Sequence, residues 1–196
     1  MTSPDRHRTT HPLRIALLVT LAACNPTPAG PAPADINDPA ATLARLASEP
    51  EGPARKPLFI ALRRAPAERA LPVLESGLAS PDPALRSAAA LASGRRDDGA
   101  TLAPTLIALA TSDPDSSVRV AASRGLANLR HAAAFAPLQH NLSHETAIVR
   151  LAALRALARI DPLQAAALPE LARLQLDADN RVAGAATKIA RGIAPH

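Results

Sequence analysis

From residue 38 onward the apolar positions keep a helical rhythm and are broken at regular intervals by polar turns. Val149, Ala152, Ala153, Ala156, Leu157 and Ile160 mark one face of a 3.6-residue stripe, which predicts an amphipathic helix. The stripe recurs. Arg55, Arg86, Arg119, Arg150 and Arg181 are spaced by 31, 33, 31 and 31 residues, and most are followed by a pair of small residues, such as Ala88-Ala89 and Ala121-Ala122. Pro39, Pro72, Pro104, Pro137 and Pro169 run in step at 33, 32, 33 and 32. Two markers with one period predict an internal repeat. Each unit reads as two helices. Helix A opens near an acid placed to cap it (Asp82, Asp115), and helix B opens at the proline, which needs no N–H partner in a first helical turn. A single hairpin of this kind cannot bury its own apolar face, whereas stacked hairpins can, so the expected architecture is an all-α, right-handed α-solenoid.

The stretches D-P-D-S-S-V-R-V-A-A (113–122) and T-A-I-V-R-L-A-A-L-R-A-L-A (146–158) resemble HEAT-like repeats, in the short form found in phycobilin lyases. The resemblance covers residues 38–194, about four and a half units. It implies that Arg55, Arg86, Arg119, Arg150 and Arg181 support packing between neighbouring units. Pro57 departs from the pattern and is expected to shorten the first helix A.

The N-terminal residues have a different pattern. Arg6, Arg8 and Arg14 precede Ile15 to Ala23, a nine-residue apolar run that ends at Cys24, the only cysteine. The order is that of a secretory signal, and the run falls short of the ~20 residues that span a bilayer. Leu21-Ala22-Ala23-Cys24 resembles the lipobox of bacterial lipoproteins. The resemblance implies removal of residues 1–23, lipidation of Cys24 with palmitate-type chains, and anchoring in the cell envelope. With Asn25 after the cysteine, the outer membrane facing the periplasm is expected rather than the inner membrane. Residues 24–37, rich in Pro and Ala, read as a tether, and residues 38–194 as the solenoid domain.

Composition narrows the chemistry. The 196 residues include 47 Ala but only two aromatics, Phe59 and Phe135, so small-residue helix packing is expected and a stacking platform for nucleic acid is not. Loss of residues 1–23 lowers the formal charge from +5 to +3, too mild to indicate a nucleic-acid partner. No nucleophile elbow, phosphate loop or zinc-protease motif occurs, so no catalytic, cofactor or metal residues are assigned. His140 and His144 have metal-ligand spacing on a helix, but they fall where a helix should end and read as a solvated terminus. Arg63, Arg64, Arg95, Arg96, Arg130 and Arg159 recur near the ends of the A helices and form the candidate partner-binding ridge. Gly94 to Gly99 reads as a flexible surface turn. The expectation is therefore a non-enzymatic, membrane-anchored scaffold that binds an envelope protein. The alternative is an enzyme or enzyme subunit related to HEAT-like phycobilin lyases.

Overall fold

The computed structural model describes residues 37–192, which all fall within one compact unit. Their helices are α1 (Pro39–Ser48), α2 (Arg55–Arg64), α3 (Ala67–Leu78), α4 (Pro83–Ser93), α5 (Ala103–Ser112), α6 (Ser116–Leu129), α7 (Phe135–Gln139), α8 (Ala147–Ile160), α9 (Pro162–Ala166), α10 (Leu171–Leu174) and α11 (Asn180–Ala190). Short 3₁₀ turns occupy Gly99–Leu102, Ala132–Ala134 and His140–Ser143. No strand occurs among the described residues. The antiparallel pairs pile into two rows. The A row is α2, α4, α6, α8 and α11; α1, α3, α5, α7 and α10 form the B row. The fold is thus the all-α solenoid expected from the period. The segment ending at residue 23, Cys24 and nearly all of the tether lie outside the described residues.

Leucine and alanine make the core. Leu46, Leu58, Leu74, Leu106, Leu126, Leu138, Leu157 and Leu174 are fully buried between the rows, and Ala88, Ala89, Ala122 and Ala153 let the helices approach. Two backbones come into contact where the end of α4 meets α6. A Cβ on Gly125 would stand 2.6 Å from the Ala90 carbonyl oxygen, and one on Gly94 would stand 2.3 Å from the Gly125 Cα. Only glycine admits backbone-to-backbone contact there.

The helix starts explain much of the repeat. Asp38, Asp82, Asp115 and Asp179 each accept a hydrogen bond from a backbone N–H in the first turn of the helix that follows. Such a cap stabilises a helix by about 1 kcal/mol. Two residues before the cap lies a second acceptor. Ser80 Oγ, Asp113 Oδ1, His144 Nδ1 and Asp177 Oδ1 accept the N–H of Asp82, Asp115, Thr146 and Asp179 at 3.1, 2.9, 3.0 and 2.9 Å. Where this acceptor is aspartate, it also takes the repeat arginine of the preceding unit. Arg86 donates from Nε and Nη2 to Asp113 at 2.8 and 2.9 Å, and Arg150 does the same to Asp177 at 2.7 Å each. Their Nη1 groups donate to the carbonyls of Ser80 and Pro81, and of His144 and Glu145. One loop carboxylate thus starts its own helix and clamps the previous unit. These hydrogen bonds raise the affinity of Arg86 and Arg150 for their protons, and Arg150 holds the Asp177 carboxyl below the usual carboxylate range.

Other arginines of the series differ. The loop position that supplies an aspartate to Arg86 and Arg150 holds His144 in the unit after Arg119, and Arg119 donates instead to the Asp113 carbonyl at 2.7 Å. Arg181 is not in the repeat position. It pairs at 2.8 Å with Asp179, its own helix cap. The residue four after that cap, equivalent to Arg86 and Arg119, is Ala183, because the loop before α11 shifts the register by two. Pro57 acts as expected: α2 begins only at Arg55, whereas α4 begins three residues before Arg86. The prolines mark the B helices less closely than expected. Pro39 and Pro104 lie in first turns, but Pro72 lies inside α3 and Pro169 precedes α10 in a turn.

Candidate functional site

A groove runs along the exposed side of the A row. Its first lobe, about 850 Å³, is lined by α2, α4 and α6 with Arg159 of α8; its second, about 730 Å³, by α6 and α8 with Arg181 of α11. Both lobes share Arg124, Asn128 and Arg159, so they form one trough. Helical spacing explains the lining. Arg55, Phe59 and Arg63 lie four apart on α2, Arg124 and Asn128 four apart on α6, and Arg155 and Arg159 four apart on α8, while Arg95 stands four residues after Leu91 of α4, in the turn just past that helix's end.

The first lobe carries Arg55, Lys56, Arg63, Arg95, Arg124 and Arg159 against a single acid, Glu51. Glu51 reaches Arg124 at 3.9 Å, a loose and largely exposed pair. The Arg95 guanidinium lies 3.9 Å from the centre of the Phe59 ring and that of Arg55 lies 5.6 Å from it. Cation–π attraction contributes about 0.5–1 kcal/mol at such partly exposed sites. Arg55 Nε is enclosed and has no hydrogen-bond partner. Burial lowers the pKa of Arg95, and the charges of Arg55 and Arg124 lower it further. Like charges crowd a site that an anion would relax. At the end of α6, Arg130 adopts the left-handed conformation (φ 48), which favours glycine, and its side chain lines the second lobe. What the trough offers chemically is concentrated positive charge beside the apolar surfaces of Phe59, Ile60, Leu91 and Ile148.

The structure divides the six arginines of the expected ridge. Arg63, Arg95, Arg130 and Arg159 line the trough. Arg64 is exposed and lines neither lobe. Arg96 is no surface residue: it is 5% exposed, forms an ion pair with Asp98 at 2.6 Å, and donates to the carbonyls of Leu62 and Ala65 at the end of α2. The Gly94 to Gly99 turn is correspondingly packed rather than free. A Cβ on Gly99 would lie 2.0 Å from the Ser93 carbonyl oxygen. Sequence reading missed Arg124 and Arg155, although each stands five residues after a repeat arginine. His140 lies in a 3₁₀ turn, and the Nδ1 of His144 is taken by the Thr146 N–H, so the pair does not share the face of an α-helix. Among the described residues no group of three His, Cys, Asp or Glu side chains could hold a metal ion. Also among them, no helix is long and apolar enough to cross a membrane.

A family model described as HEAT repeats matches residues 39–122 and 103–190. The chain belongs to the HEAT-repeat family. A solved structure, the complex of CpcE and CpcF of phycocyanin lyase from Nostoc sp. PCC7120, is similar at 24% identity with a TM-score of 0.49, covering 77% of this chain. This chain spans 62% of the length of that one. No curated protein matches the sequence. These findings correct the expected function. The non-enzymatic, membrane-anchored scaffold stood first and the lyase-related reading second, whereas the structural likeness lies with a lyase complex and so falls on the second. The expectation that the chain is no enzyme is withdrawn with it. The repeat fold rests on the family match, and the structural likeness transfers no activity to this chain.

Proposed function

We propose that the chain serves as an enzyme subunit of the HEAT-like lyase-related kind, and that its working surface is the arginine trough, which holds an anionic ligand. The observation that supports this is the set of Arg55, Arg95 and Arg124 around Phe59, with one loose carboxylate to balance them. The lining is rich in fixed cations and poor in groups that exchange protons, Glu51 being its one carboxylate. Such a surface orients and stabilises negative charge, and bond-making groups would come from the ligand or from an associated chain. Arg130 supports the same reading, since it holds a backbone conformation that favours glycine and lines the trough.

The test is a fluorescence titration with 8-anilinonaphthalene-1-sulfonate, an aromatic anion matched to a cation-flanked phenyl ring. Saturable binding by the full chain is expected, weakened at least ten-fold by Arg95→Ala with Arg124→Ala at unchanged helicity. Equal binding by both proteins, or none by either, overturns the reading.

A further inference from the structure

We infer that the ligand of the trough is an extended acidic peptide from another protein, with an apolar side chain at one end and carboxylates at every third position after it. The inference deepens the proposed function and rests on the trough being the working surface. Its first ground is shape. The two lobes are continuous through Arg124, Asn128 and Arg159 and cross the faces of α2, α4, α6 and α8, a span suited to an extended chain more than to one compact molecule.

The second ground is register. Arg124 on α6 and Arg155 on α8 occupy the same turn of successive A helices, each five residues after a repeat arginine. The equivalent positions on α2 and α4 are Ile60 and Leu91, which line the first lobe beside Phe59. The row therefore changes along the stack from apolar, over α2 and α4, to cationic, over α6 and α8. Neighbouring packed helices lie about 8–10 Å apart. A peptide in the extended polyproline II conformation advances about 3.1 Å per residue and returns its side chain to the same face every third residue, so three residues carry it from one helix to the next. An apolar side chain seated against Phe59, Ile60 and Leu91 then presents following carboxylates to Arg124 and Arg155 at intervals of three. Asn128, half-buried in the shared floor, brings a donor and an acceptor that a peptide backbone can use.

The third ground is charge. The cations of the first lobe face one acid, and the enclosed Arg55 Nε has no partner. Residues 25–36 of the chain itself carry a single carboxylate, Asp35, and cannot supply the series.

The experiment is calorimetry of the full chain with two twelve-residue peptides of identical composition. One carries a Leu followed by Glu at three, six and nine positions further on, with Ser and Gly elsewhere. In the other the three Glu are contiguous. The spaced peptide is expected to bind at least ten-fold more tightly, and Arg124→Ala with Arg155→Ala should abolish that preference. Equal binding of both peptides overturns the inference, as does tighter binding of a single-stranded oligonucleotide of equal charge. If the peptides fail while the aromatic sulfonate still binds, only the peptide assignment falls. If neither binds, the trough itself is not a ligand site.

Discussion

The seam between α4 and α6 and the seam between α2 and α4 join helices of the same row in different ways. At the first, Gly94 and Gly125 bring two backbones into contact, and the Arg86–Asp113 clamp ties one unit's loop to the next. At the second, α2 lacks its first turn, Ser80 stands where its neighbour has Asp113, and Arg55 has no carboxylate to meet. What holds α2 is Arg95 on Phe59 and the Arg96 bonds to the carbonyls that end α2. The contrast shows how a repeat protein makes both a scaffold and a site from one motif. Where loop carboxylate and arginine meet, the charges are consumed in packing. Where the carboxylate is missing, the arginines gather around a ring and remain able to bind.

The largest effect is expected where the backbones touch. Gly125→Ala places a Cβ against the Ala90 carbonyl oxygen and should destabilise the protein by about 2–3 kcal/mol in urea unfolding. Gly184→Ala, on a helix with open space around it, should instead stabilise by about 0.5–1 kcal/mol. A similar cost at both sites would end the claim that the α4–α6 seam is special. Next comes the clamp. Asp177→Asn leaves Arg150 without its charge partner and should cost about 2 kcal/mol at neutral pH. Since the folded Asp177 carboxyl sits below its ordinary value of about 4, the stability it contributes is complete above that value and is lost as pH falls through its lowered one. Asp179 is held to about 2 by its bonds with Arg181 and is common to both proteins. The gap between native and Asp177→Asn proteins should therefore narrow as pH falls below about 4 in acid unfolding curves. The smallest effect is a gain. His144→Asp keeps an acceptor for the Thr146 N–H and gives Arg119 the carboxylate its neighbours have, which should add about 1 kcal/mol. No gain there would mean that the alternation of clamped and unclamped arginines is incidental.

The architecture was legible because caps, paired small residues and repeat arginines are local and periodic. Register was legible only where the loops kept their length. The two-residue shift before α11 made Arg181 look like a repeat arginine when Ala183 holds that position. Proline was a weaker guide, because α3 accommodates Pro72 internally. At the site, Arg95 and Arg96 read as a pair in the sequence, yet neighbouring residues at a helix end point in different directions. One lies on Phe59 while the other is buried under α2. Arg124 and Arg155 were hidden inside helices whose ends drew attention, and their common offset from Arg119 and Arg150 was the signal available.

The crowded guanidiniums of the trough have a consequence for how the molecule responds to dissolved electrolyte. Mutual repulsion among exposed cations is screened by salt, whereas the buried Arg86–Asp113 and Arg150–Asp177 contacts are screened much less. Moderate ionic strength should thus tighten this protein rather than loosen it. A multivalent buffer ion such as citrate should raise its melting temperature more than chloride does at equal ionic strength.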